Sequence, residues 1–218
     1  MFELLNTVSN YSPILPFVIG IVLWKYLDRS SRIVMFLLPC AAFSQLFSRF
    51  HLGLPSVWPI FNSYIFLDLT MWTLVFYTNS KGRAIKSLIV FLYTLHASLF
   101  IAVVFVASIS QRFLSEFVCF NCLLQLTWVL LFLYERYKLN AIRALEFEPL
   151  FWFSLGLLVY SPTTYFLFAY YDIVRASIVR GYESLWAIHD TMNILMYILF
   201  SIGMSLNVKA KKIMNLSV

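Results

Sequence analysis

The sequence predicts an all-α membrane protein: a seven-transmembrane helix bundle with its N-terminus outside and its C-terminus cytoplasmic. Three observations predict it. Of the 218 residues, 61% are hydrophobic and 12% charged, against about 45–50% and about 25% in soluble domains, and the mean hydropathy is +0.82. Apolar runs near the roughly 20 residues that cross a hydrocarbon core recur along the chain. Basic residues collect in alternate connections, which sets orientation.

The runs span 13–26, 33–50, 58–78, 85–108, 113–134, 150–171 and 184–206, and the chain reads as a single transmembrane domain, 1–218. The first run is the shortest, and Pro13 and Pro16 suit a helix start. Glu3, with no Lys or Arg, precedes it, so the cationic segment of a cleaved signal peptide is missing. The second run carries Ser44, Gln45 and Ser48 and ends at Arg49 and His51. Pro55 and Pro59 open the third, whose middle holds Asp68. The fourth contains a solitary His96, expected to be a hydrogen-bonded interior residue rather than a ligand. The fifth holds Cys119-Phe-Asn-Cys122 and Gln125; without a soluble redox fold, the cysteines read as small buried residues. The sixth holds Tyr160-Ser-Pro-Thr-Thr-Tyr165, where Pro162 removes one backbone donor and nearby hydroxyls can satisfy freed carbonyls. The seventh places His189, Asp190 and Asn193 where a membrane helix normally carries Leu or Val.

Charge orients the bundle. Lys25, Arg29, Arg32, Lys81, Arg83, Lys86, Arg136, Lys138, Arg143, Lys209, Lys211 and Lys212 lie at one end, against Arg49, Arg112, Arg175 and Arg180 at the other. The lysine-rich end is expected to face the cytoplasm. The net charge of +6 then reflects topology and anionic lipid, and nucleic acid is not an expected partner.

Polar groups inside a bilayer are costly and often mark function. His189, Asn193 and Tyr197 follow at i, i+4 and i+8, so they share one helix face, with Asp190 beside it. Asp68, Tyr160, Ser161, His189, Asp190, Asn193 and Tyr197 are therefore the candidate ligand-binding residues, expected to line a pocket in the outer half of the membrane. A retinal Schiff base is excluded, because no lysine occurs between Lys138 and Lys209. Ser44, His51 and Asp68 are loosely similar to residues of the alkaline ceramidase and adiponectin-receptor zinc hydrolases. That family carries His-x-x-x-His on the last helix, where this chain has His189-x-x-x-Asn193. The alternative it implies is a zinc-dependent lipid hydrolase with His51, Asp68 and His189 as ligands. A transporter is disfavoured by the absence of a visible repeat, and a structural subunit of a membrane complex is the third reading.

Pro149-Leu-Phe-Trp-Phe-Ser-Leu-Gly-Leu-Leu-Val-Tyr-Ser161 and Leu185-Trp-Ala-Ile-His-Asp-Thr-Met-Asn-Ile-Leu195 resemble segments of a family of small seven-span proteins from Bacteroidota. Asp68 stands where that family more often has Glu. The resemblance implies a bacterial inner-membrane location and association with histidine-kinase signalling. The leading expectation is accordingly a receptor-like sensor. It would bind a small or lipid-like ligand and signal to a histidine kinase or other cytoplasmic partner at the basic inner loops.

Overall fold

A computed structural model describes the backbone of residues 2–50, 58–107, 113–139, 142–170 and 182–216, and the side chains of 2–45, 58–104, 113–139, 145–170 and 184–208. The described residues form eight α-helices and two 3-10 turns, with no strand. The α-helices are α1 (Phe2–Tyr11), α2 (Ile14–Val22), α3 (Arg29–Phe50), α4 (Trp58–Asn79), α5 (Arg83–Ala107), α6 (Ser115–Lys138), α7 (Pro149–Ala169) and α8 (Tyr182–Leu216). The turns cover Trp24–Tyr26 and Ile142–Phe147. An all-helical chain suits hydrocarbon, where every backbone polar group must be satisfied within its own segment.

Six stretches are long and apolar enough to cross a membrane: Phe2–Val22, Trp58–Asn79, Arg83–Val104, Ser115–Lys138, Pro149–Ala169 and Ser184–Val208. The chain is thus a multi-pass helical membrane protein. Arg29–Phe50, with 22 residues, matches α4 in length but is not among the six. Arg29, Arg32, Pro39, Ser44, Gln45 and Ser48 dilute its apolar content.

The beginning of the chain differs from expectation. The first run does not start at Pro13: α1 occupies Phe2–Tyr11, and the pair α1–α2 forms one stretch, Phe2–Val22. Asn6, Thr7, Ser9 and Asn10 look unsuited to a membrane helix, but each side-chain group has a partner. Thr7 donates to the Glu3 carbonyl at 2.8 Å, Asn10 to Asn6 Oδ1 at 3.1 Å, and Asn6 and Ser9 meet polar groups of α8. The last helix also runs longer than expected, as α8 covers Tyr182–Leu216 rather than 184–206.

Lipid-facing hydroxyls use their own helix in the same way. Thr94, Thr127 and Thr191 each donate to the carbonyl four residues back, at 2.8, 2.8 and 2.7 Å. Pro162 is accommodated inside α7, and Thr163 donates to the Tyr160 carbonyl at 2.8 Å. The outward surface is apolar. On α5 alone Leu88, Val90, Phe91, Leu95, Leu99 and Ile101 are exposed, a contiguous face that water would penalise and lipid accepts.

The core lies between α3, α4, α6, α7 and α8. Trp72, Phe76, Trp128, Phe132, Phe153 and Phe200 are buried there. Trp72 and Phe153 meet Phe200 at ring separations of 5.5 and 5.4 Å. Glycines set the closeness of α7 and α8: a β-carbon on Gly156 would stand 2.7 Å from the Phe200 ring, and one on Gly203 2.7 Å from the Phe153 ring.

The basic end is tied by buried polar groups. Glu135, 7% exposed, accepts the backbone N–H groups of Lys81 and Gly82 in the α4–α5 turn. Asn207 of α8 accepts from the Asp28 N–H at 2.8 Å and donates to Ser31 Oγ at 2.9 Å. Arg136 pairs with Glu148 at 2.8 Å. Charge-assisted hydrogen bonds are roughly twice as strong as neutral ones. Glu135→Gln, which keeps an acceptor but loses the charge, is therefore expected to reduce stability by about 1 kcal/mol. A thermal melt followed by tryptophan fluorescence checks it; an unchanged midpoint would mean the turn does not depend on this carboxylate.

Candidate ligand cavity

A cavity of about 1080 Å³ occupies the end of the bundle away from that basic turn. Its walls come from α1, α3, α4, α6, α7 and α8. The floor is apolar, from Leu37, Leu38, Leu157, Met196 and Phe200. Polar groups stand above it. The volume lies just above the about 300–1,000 Å³ typical of small-molecule sites.

The expected site residues largely converge. Asp68, Tyr160, His189, Asp190, Asn193 and Tyr197 all line the cavity. Ser161 does not: it is fully buried behind the wall and reaches the site through Gln125. Gln125 donates to Asp68 Oδ2 at 2.6 Å, and Ser161 donates to Gln125 Oε1 at 3.0 Å. One hydrogen-bonded chain thus joins α4, α6 and α7.

The α8 stripe is held from two sides. His189 Nδ1 lies 3.3 Å from Thr164 Oγ1 of α7. Asp190 accepts from Asn6 Nδ2 at 3.2 Å, and Asn193 Nδ2 donates to the Ser9 carbonyl at 3.3 Å and to Ser9 Oγ at 3.0 Å. The polar face of α1 therefore exists to meet the polar face of α8. Around His189 the rings of Tyr160, Phe168 and Trp186 stand at 5.3, 6.3 and 5.5 Å. The aromatic arc continues from Trp186 through Phe168 and Phe113 to Trp58, at 6.1, 5.3 and 5.6 Å. It rims the cavity where α4, α7 and α8 begin or end.

Sequence reading missed Glu3, Asn6 and Tyr64, all of which line the cavity. Tyr64 lies one turn before Asp68, a spacing the sequence displays. Nothing local marks Asn6, because its partner is 184 residues away. His96 is interior as expected but not hydrogen-bonded. Both ring nitrogens lack a partner, and the ring sits among Phe100, Phe117 and Phe120 at 6.4, 5.5 and 5.2 Å. Cys119, Cys122 and Cys40 are free thiols.

For the zinc alternative, Asp68 and His189 share the cavity wall, and His51 lies outside the described residues. No group of three His, Cys, Asp or Glu side chains suited to a metal occurs among the described residues.

Fold and cavity define a class, the multi-pass helical membrane protein with a polar, aromatic-rimmed pocket inside the bundle. No family model, curated protein or solved structure matches the chain.

Proposed function

We propose that this chain is a receptor-like sensor of a bacterial inner membrane, with seven spans, the N-terminus outside and the C-terminus in the cytoplasm. It binds a small or lipid-like ligand in the cavity and signals to a cytoplasmic partner. The observation that carries this reading is the cavity itself, whose polar groups are contributed by helices distant in sequence. Asp68, Gln125 and Ser161 connect three helices, and His189, Asp190 and Asn193 connect two more. A ligand touching both sets can alter the relative positions of α1, α4, α6, α7 and α8, provided it binds one arrangement better than another.

The seventh span is α3, which packs against α2 and α4, and the orientation follows from the basic ends. The resemblance of Pro149–Ser161 and Leu185–Leu195 to the Bacteroidota family supports a histidine kinase as the partner.

The test is in-cell photo-crosslinking from positions in the α4–α5 turn and the first turn of α5, Lys81 to Lys86, followed by identification of the adduct. A kinase adduct is the expected result. The reading fails if the turn captures no signalling protein and the purified protein binds no small molecule. Stoichiometric zinc in the purified protein would replace it with the hydrolase alternative.

A further inference from the structure

We propose that the cavity is built for an organic cation: a primary or secondary ammonium group carried on an apolar or aromatic body. This proposal rests on the receptor reading above and specifies its ligand.

The first observation is charge. Glu3, Asp68 and Asp190 line the cavity, and no Lys or Arg is among its described lining residues. An ionised carboxylate removed from water needs a cation or strong donors nearby. Asp68 receives Gln125, and Asp190 receives Asn6. These are neutral donors, and a carboxylate has about four lone-pair sites, so both acids retain acceptor capacity.

The second observation is independent and concerns hydrogen-bond sense. Asn121 and Asn193 are 4% and 2% exposed and line the cavity, and the side-chain oxygen of each has no donor. Their amide orientations are fixed. Asn121 Nδ2 faces the Ile65 carbonyl at 2.6 Å and Asn193 Nδ2 the Ser9 carbonyl at 3.3 Å, and a carbonyl can only accept. The unmet atoms are therefore acceptors. Together with the carboxylates they call for a ligand rich in N–H and poor in lone pairs. An ammonium group, with hydrogens and no acceptor, answers that description. A phosphate or carboxylate does not.

The third observation is the wall. Tyr160, Phe168 and Trp186 surround His189, and the arc to Trp58 presents further ring faces. Aromatic faces attract cations, more strongly when water is excluded. A cavity of about 1080 Å³ with a floor of Leu37, Leu38 and Phe200 is far larger than an inorganic ion needs, and it offers the ligand's body an apolar seat.

The test uses the full chain in nanodiscs of phosphatidylcholine. Tryptophan fluorescence is read against empty discs, since Trp58, Trp72 and Trp186 line the cavity. Probes share one body: 4-phenylbutylamine, 4-phenylbutanol, 4-phenylbutyrate and the trimethylammonium analogue. The amine is expected to bind about tenfold more tightly than the alcohol. The carboxylate should bind most weakly, and the trimethylammonium, with charge but no N–H, below the amine. Asp68→Asn and Asp190→Asn should each weaken the amine about tenfold and so narrow its advantage over the alcohol. Asp190→Asn serves if Asp68→Asn does not fold. Equal binding of amine, alcohol and carboxylate overturns the cation assignment but leaves a ligand-binding cavity. Unaltered amine affinity in the variants overturns it too. If no probe binds, the cation assignment falls, and the crosslinking experiment alone decides the receptor reading.

Discussion

Gly203→Ala is expected to lower the stability of the bundle by about 1–3 kcal/mol, and Gly203→Val by more, because inserted carbon in a close-packed core forces neighbours off their positions. The contact is unforgiving on both sides. The new β-carbon would meet the Phe153 ring at 2.7 Å and the Pro149 carbonyl oxygen at 3.0 Å. Phe153 is fully buried against Phe200 and has nowhere to turn. The carbonyl belongs to the first turn of α7 and moves only with the helix. Gly20 makes a useful contrast: the nearest atoms its β-carbon would meet belong to the Met35 side chain, a flexible group that can swing aside. Ile202, exposed on the neighbouring lipid face, supplies the control, since Ile202→Val should stay within about 0.5 kcal/mol. Detergent-titration unfolding in mixed micelles measures all three variants. A Gly203→Ala protein as stable as Ile202→Val would show that α7 and α8 are not held in close contact.

The sequence displays some of this architecture and hides the rest, for physical reasons. Apolar runs announce helices because a single residue type, repeated, is enough to keep a segment in lipid. The polar stripe of α8 is legible for the same reason in reverse: His189, Asn193 and Tyr197 recur at helical spacing within an apolar run, so their common face is local information. The partners are not local. Asn6 and Ser9 look like a polar leader because the groups that satisfy them, Asp190 and Asn193, stand 184 residues later. Only the fold converts them from an unsuitable membrane segment into half of an interface. Ser161 shows the opposite error. It sits beside Tyr160 in sequence, but on a helix the next residue points some 100° away. It therefore contacts the wall residue Gln125 and not the cavity. The glycine contacts were equally hidden, since Gly156 and Gly203 match no spacing motif and matter only because Phe200 and Phe153 lie opposite.

Gln125→Leu is expected to produce the second large effect, and its size reports the charge on Asp68. Gln125 bridges the Asp68 carboxylate and the Ser161 hydroxyl. An average interhelical hydrogen bond inside a membrane protein is worth only about 0.6 kcal/mol. Leaving an ionised carboxylate without its partner in a buried site costs about 3–5 kcal/mol. A loss near the first figure would mean Asp68 carries no charge in the unliganded protein. A loss near the second would mean the carboxylate is ionised and held for a cation. The double variant Asp68→Leu/Gln125→Leu separates structure from function. Removing both partners is expected to restore most of the stability, since an apolar pair leaves nothing orphaned and Ser161 can turn back to a carbonyl of its own helix. It should not restore amine binding. A stable double variant that still prefers the amine over the alcohol would show that Asp68 serves helix packing alone. A stable double variant that binds both probes alike would establish that α4 carries its buried acid for the ligand.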